Sequence, residues 1–277
     1  MSFSRDVACI IAEYLAEYKL VDWIDINKLS WDILSSNPNA MDLLKNHPDK
    51  INWYRLSENS AAMDLLLANQ DKIDWSWLSR NSAAINLLLA NAYKIDWSWL
   101  SRNSAAIDIL KTAHPYNIDW NLLSLNPAAI DILKSNQDRI NWNWLSRNSA
   151  AIELLKDNPD KIYWKWLSLN PAAIELLKDN PDKIDWDCLC ENTAAIELLT
   201  SNPDKIDWNL LSMNSAAIEL LKANSDKINW YWLSLNSAAI KLLGTNPNKT
   251  NWEWLSSNPS IFELKSEPNL VNCLLEI

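Results

Sequence analysis

The chain has 277 residues, a net charge of −10, a pI near 4.7 and 48% hydrophobic residues. Such an acidic balance argues against nucleic-acid binding and against docking on an anionic membrane, since both draw affinity from clustered Lys and Arg. No apolar stretch approaches the roughly 18 residues that a membrane span requires, and no cofactor motif is present.

The four cysteines, Cys9, Cys188, Cys190 and Cys273, form no disulfide framework, so a reduced intracellular setting is expected. The opening Met1-Ser2-Phe3-Ser4-Arg5 lacks the charged and apolar regions of a signal peptide, and Cys273 misses the prenylation pattern by one position. Secretion is not expected.

Residues 4–20 predict a capping helix with Val7, Ile11, Tyr14, Leu15 and Tyr18 on one face. Phe3-Ser4-Arg5-Asp6-Val7 followed by Ile11, Tyr14 and Leu15 also resembles the first helix of an F-box, which implies docking to a ubiquitin-ligase adaptor. The usual Pro is Ser4 here, and the later F-box helices are absent.

From there a Trp recurs at Trp31, Trp53, Trp75, Trp97, Trp120, Trp142, Trp164, Trp186, Trp208, Trp230 and Trp252, always 22 residues on except for 23 between Trp97 and Trp120. A fixed period of this length marks a solenoid whose units bury apolar surface against their neighbours. In the representative unit Asn148–Leu169, Asn148 is a helix N-cap. Ser149 takes the first helical position, where other units carry Pro127, Pro171 or Pro259. Ala151, Ile152 and Leu155 share a buried face. The helix is expected to end at Asn158-Pro159, with Asn in the left-handed region that Gly usually occupies.

The second segment, Ile162 to Ser168, alternates like a strand, but Trp and the Leu three residues later recur in every unit while the residue two after Trp drifts. A constant i, i+3 pair is helical spacing. Asp or Asn precedes Trp in nine units and Ser30 in the first, an N-cap set with Tyr163 as exception. The fold expected is an all-α solenoid (superhelical array) of about eleven 22-residue units of two short helices, with capping regions at 1–30 and 261–277 around repeats at 31–260. With layers roughly 8 to 10 Å apart it would form an open rod or superhelix on the order of 100 Å long.

The recurrent polar residues read as lattice rather than chemistry. Asn37 to Asn258 form an unbroken ladder, and Ser recurs four residues after Trp except at Cys190. A nucleophile would be needed once, and beside a base. His47 and His114 stand at the turn before Pro. Cys188 and Cys190 replace a Trp and a ladder Ser, and neighbouring units offer no further metal ligands. The row Asp131, Glu153, Glu175, Glu197 and Glu219 has Lys or Thr three residues on, the pattern of an exposed face. No catalytic set assembles, so the chain is not expected to be an enzyme, nor to hold a metal.

Two positions vary while their surroundings stay fixed. One follows the lattice Trp, from Tyr54 to Glu253. The other precedes the ladder Asn and holds Glu58, Arg80, Arg102, Leu125, Arg147, Leu169, Glu191, Met213 and Leu235. Of these, Arg80, Arg102, Leu125, Arg147, Leu169, Met213 and Leu235 form a candidate partner-binding strip, basic early and apolar late; drift on a solvent face is the alternative. Towards the end, Pro259-Ser260-Ile261-Phe262 departs from the unit, and residues 269–277 predict a closing apolar helix.

Units such as Asn180-Pro181-Asp182-Lys183-Ile184-Asp185-Trp186 and Leu167-Ser168-Leu169-Asn170-Pro171-Ala172-Ala173-Ile174 resemble the short Trp- and Asn-rich tandem repeats encoded by giant DNA viruses of amoebae, over about residues 31–260. The resemblance implies a virion or infected host cytoplasm and brings no catalytic residues. The function expected is a non-enzymatic scaffold for a viral or host protein partner, with self-association open. The alternatives are an F-box-like adaptor and a helical-repeat reader of nucleic acid.

Overall fold

The computed structural model describes residues 17–265. Asn148, in extended backbone, accepts a hydrogen bond from the Ala150 amide at 3.0 Å, which starts the 3₁₀ turn Ser149–Ala151 that runs directly into the helix Ile152–Lys156. Asn158 ends that helix by donating Nδ2 to the Leu154 carbonyl at 3.0 Å. A second 3₁₀ turn, Pro159–Lys161, leads to the Trp helix Trp164–Leu167. Asp or Asn caps the Trp helix in most other units, as Asp185 does for the Cys188 amide, whereas Tyr163 makes no capping bond. The expected all-α solenoid of paired short helices is therefore what forms, and the helical reading of the Trp segment holds.

One local expectation fails. Asn158 sits at φ −134°, ψ 61°, and no described residue has positive φ. Its side chain closes the turn through the Leu154 carbonyl, so the backbone does not need the left-handed region. His47 takes the same role, with Nδ1 2.9 Å from the Leu43 carbonyl.

The core is aliphatic. Ala151, Leu155 and Leu167 are fully buried, as are their counterparts around the array, while the lattice Trp residues are only half-buried. Nine of the eleven, all but Trp97 and Trp186, instead face a cation from the next unit, as Lys50 over Trp31 at 4.5 Å, Lys94 over Trp75 at 4.1 Å and Lys161 over Trp142 at 4.4 Å. The core is therefore built from Ala and Leu and not from these rings. They pave the surface between units, each cation contact contributing about 0.5–1 kcal/mol.

Successive units are tied by two buried polar ladders. Asn170 donates Nδ2 to the carbonyls of Ser146 and Asn148 in the unit before, at 3.0 and 3.1 Å, while its Oδ1 accepts from the Ala172 amide at 3.0 Å. Ser168 donates its hydroxyl to the Trp164 carbonyl at 2.9 Å and accepts the Asp185 amide of the unit after at 3.1 Å. The 23-residue step is absorbed outside this lattice: Asn126 still bonds the Ser101 and Asn103 carbonyls at 3.0 and 3.2 Å. The extra residue falls after the helix Ile107–Thr112, where His114 adopts φ −65°, ψ 135° instead of the usual turn geometry.

The ladders have no ends. Asn37, in the first unit, donates to the carbonyls of Ser256 and Asn258 in the last, at 3.1 and 3.2 Å. The Ser30 amide donates to Ser256 Oγ at 2.8 Å, and Lys28 lies 5.0 Å over Trp252. These are the same bonds, in the same register, that join every other pair of units. The solenoid therefore closes into a ring, and the open rod is corrected. Closure of eleven units requires a rotation of about 33° per unit, which a solenoid obtains from a small wedge in each repeat. The Trp helices and the 3₁₀ turns after the ladder Asn make the closest approaches between neighbours, which places them toward the centre of the ring.

The two ends build the closing unit together. Where other units carry the helix equivalent to Ile152–Lys156, strand β1 (Tyr18–Leu20) pairs antiparallel with β2 (Phe262–Leu264), in register Lys19 opposite Glu263, and these are the only strands among the described residues. Tyr18 to Leu20 are thus extended rather than part of the expected N-terminal helix. The rest of that helix, the F-box-like residues Phe3 to Leu15, and residues 269–277 lie outside the described residues. Trp23 packs edge-on against Trp252, ring centres 5.9 Å apart, and over Gly244. A Cβ at Gly244 would lie 2.8 Å from Trp23 Nε1. Other units place Lys, Leu or Thr there, so the single glycine of the chain is where the seam needs room. Beside it lies a seam cavity of about 400 Å³ lined by Val21, Trp23, Ile240 and Phe262 among others.

Two predictions follow from closure. Asn37→Ala and Asn170→Ala each remove a cap and leave one buried Ser carbonyl of the neighbouring unit, that of Ser256 or Ser146, without a donor, at about 2–4 kcal/mol, while the Asn258 or Asn148 carbonyl keeps its backbone amide. In chemical denaturation the two variants should be destabilised alike, whereas in an open array Asn37→Ala would lose only the cap. Gly244→Leu should lower the melting temperature by displacing Trp23, even though leucine is the better helix former by nearly 1 kcal/mol; the same change at exposed Lys156 should not.

Candidate interaction surface

The variable residue before each ladder Asn is positioned by its neighbours. In Ser146-Arg147-Asn148 both flanking side chains are buried in the ladders, so the side chain between them is directed outward. The repeat thus provides one variable side chain per unit, on a backbone that the ladders hold in fixed register.

The strip residues differ in what they expose. Arg102, Arg147 and Glu191 are exposed, whereas Arg80, Leu125, Leu169, Met213 and Leu235 are half-buried. The apolar members are therefore less open than a solvent-facing strip would be. The other variable series, from Tyr54 to Glu253, is exposed except for half-buried Ser76.

Next to the strip stands a set of half-buried rings, two residues after the lattice Trp, whose role sequence reasoning missed. Trp77 stacks on Trp99 with centres 5.7 Å apart, Tyr54 meets Trp77 at 4.7 Å, and Trp144 meets Trp166 at 4.7 Å. The available signal was the recurrence of Trp at a position that otherwise drifts. Arg80 joins this face: its guanidinium lies 5.6 Å over Trp99 and pairs with Glu58 at 3.1 Å.

Arg102 carries the electrostatic signature of the strip. Partial burial is the largest cause holding its pKa below the usual arginine value, followed by the charges of Arg80 and Arg147, with Glu58 opposing. Arg147 is two units from Arg102, so charges of non-adjacent units on the same arc of the ring act on one another.

The other polar candidates are occupied by the lattice. Ladder Ser hydroxyls donate to the Trp carbonyl of their own unit and accept an amide from the next, as Ser168 does. The acidic row is exposed and partly paired, Glu153 with Lys156 at 2.9 Å and Glu175 with Lys178 at 3.0 Å. Cys190 is buried in the ladder Ser position, with its carbonyl accepting Asn214 Nδ2 at 2.9 Å. Burial pushes its thiol up to about 11, and burial followed by the Asp185 charge pushes Cys188 up to about 12. Both are protonated at neutral pH and are poor nucleophiles. Among the described residues no group of three or more His, Cys, Asp or Glu is placed to hold a metal, and no helix is long and apolar enough to cross a membrane.

A second exposed patch lies elsewhere. Leu67 and Leu89 take equivalent positions in consecutive units where Lys is usual, and Tyr93 and Tyr116, 84% and 93% exposed, take the place of an Asp. No family model, curated protein or solved structure matches the chain.

The thiols provide a check on the lattice. Because their folded pKa values lie above the unfolded value near 8.5, native Cys188 and Cys190 hold their protons as pH rises past that point. Alkylation read by peptide mass spectrometry should be slow at pH 8 in the native protein, fast in urea, and should rise in the native protein only toward pH 11. Rapid native labelling of Cys190 at pH 8 would show that the ladder is open at this unit.

Proposed function

We propose that the chain is a non-enzymatic interaction scaffold, in which a closed ring presents Arg80, Arg102, Leu125, Arg147, Leu169, Met213 and Leu235 to a protein partner. The observation that carries this reading is the geometry of Ser-x-Asn: two buried ladder residues fix a variable side chain at the same place in successive units, exposed at Arg102 and Arg147. Such a design separates stability from recognition, because the strip changes without cost to the lattice. A non-catalytic role is supported by the ladder hydroxyls, each spent on two hydrogen bonds, and by thiols that stay protonated. The resemblance to giant-virus repeats suggests a virion or host-cytoplasm protein as the partner.

Arg102→Glu with Arg147→Glu tests this reading. Both residues are exposed, so the melting temperature should shift little. Affinity capture from infected and uninfected amoeba lysates should recover a protein partner with the parent and lose it with the variant. An identical partner list would remove the strip from the function. Recovery of nucleic acid alone, with affinity falling steeply with salt, would favour the nucleic-acid reader.

A further inference from the structure

The strip is a series along the chain, but on a closed ring it is a circle. Arg80, Arg102 and Arg147 occupy one arc of it, and Met213 and Leu235 the arc opposite. Three of the six arginines of the chain thus meet in one place on a protein of net charge −10. Only Arg80 has a carboxylate, Glu58 at 3.1 Å. Among the described residues neither the Arg102 nor the Arg147 side chain has an ion-pair or hydrogen-bond partner in the chain, although Arg102 is partly desolvated and repelled by Arg80 and Arg147. The lattice holds these like charges together. Elsewhere on the surface Lys is paired with Glu or Asp within single helices, as at Glu153–Lys156, Glu175–Lys178 and Glu219–Lys222. The arginine arc departs from that habit.

We propose that this arc is a docking site for an acidic peptide segment of the partner, whose carboxylates engage the Arg102 and Arg147 guanidiniums. The proposal rests on the scaffold reading and adds the chemistry of the partner. Guanidinium suits a planar carboxylate because its fork donates two parallel hydrogen bonds, and pairing with an anion relieves repulsion already present in the free protein. Carboxylates on alternate residues of an extended segment stand about 6.8 Å apart on one face, a spacing that lets successive ones reach converging arginines. The rings of Trp99 and Trp144 flank the arc and would exclude water from the pairs. A long polyanion is disfavoured, because beyond three arginines it meets an acidic surface. A short acidic segment is not.

The test uses the full chain and a fluorescein-labelled peptide of six Glu-Ser repeats, followed by anisotropy. Saturable binding should weaken at least tenfold with Arg102→Glu/Arg147→Glu and by a smaller factor with Arg102→Lys/Arg147→Lys, which keeps charge but loses the fork. Lys156→Glu/Lys178→Glu, with the same change in net charge on the outer helices, should bind like the parent. Melting curves confirm that each variant is folded. Absence of binding, equal losses in both charge-reversal variants, or equal affinity for a Lys-Ser peptide or a twelve-residue oligothymidylate would each overturn the proposal. If the Glu-Ser peptide fails to bind while Arg102→Glu/Arg147→Glu still loses a partner from lysate, the acidic chemistry falls and the scaffold reading stands. If the peptide binds as described but no partner is lost from lysate, the scaffold reading is what fails.

Discussion

The structure depends on one buried polar device, the side-chain amide of the ladder Asn. It bonds three backbone groups at once: the amide two residues on, the Ser carbonyl of the preceding unit that no backbone amide serves, and the Asn carbonyl of that unit, which also accepts an amide of its own 3₁₀ turn. Buried backbone groups must be paired, and the cost of leaving one open exceeds the net gain of any one bond. This ties Asn to its position, since a shorter or apolar residue would strand the Ser carbonyl. The Ser ladder beside it does the same for one carbonyl and one amide, and together they set the register of every unit against the next.

Repeat arrays of this kind are stabilised by nearest-neighbour interfaces, and an open array always exposes two of them. Closure removes both. The wedge that achieves it arises from the difference between close-packed Trp helices toward the centre and the wider-set helices outside, so curvature is distributed and no single residue encodes it. At the seam, where an exact unit would have to be assembled from both ends of the chain, a short antiparallel strand pair replaces a helix. Trp23 then fills the space that Gly244 leaves. The same ring gives the surface its logic, because residues far apart in sequence become neighbours at the seam, as Asn37 and Asn258 show.

Much of this was legible in the residues. The period, the paired short helices, the cap at Asn148 and the missing cap at Tyr163 all follow from local rules, which act within one unit. The cation over most lattice Trp residues was also readable, since Lys or Arg stands three residues before Trp in ten of the eleven units, with Asn117 the exception. Closure was not readable, because it is the sum of small rotations that leave no mark on composition. The strand at Tyr18–Leu20 was missed for the same reason: its partner lies more than 240 residues away, and its own apolar pattern fits a helix equally well. The variable positions of the strip are evident in the residues, but the half-burial of Leu169 and Leu235 is not, because it is set by neighbouring units and not within one.

The central claim is that the first and last units are neighbours. It is tested most directly by pulsed electron-electron spin resonance between labels at exposed Asn27 and Glu253, with the native cysteines replaced by serine. A closed ring places these positions one unit apart, at about 10 Å between backbones and under about 25 Å between labels. An open array of eleven layers would separate them by an order of 100 Å, and a distribution without a short-distance peak would contradict the ring.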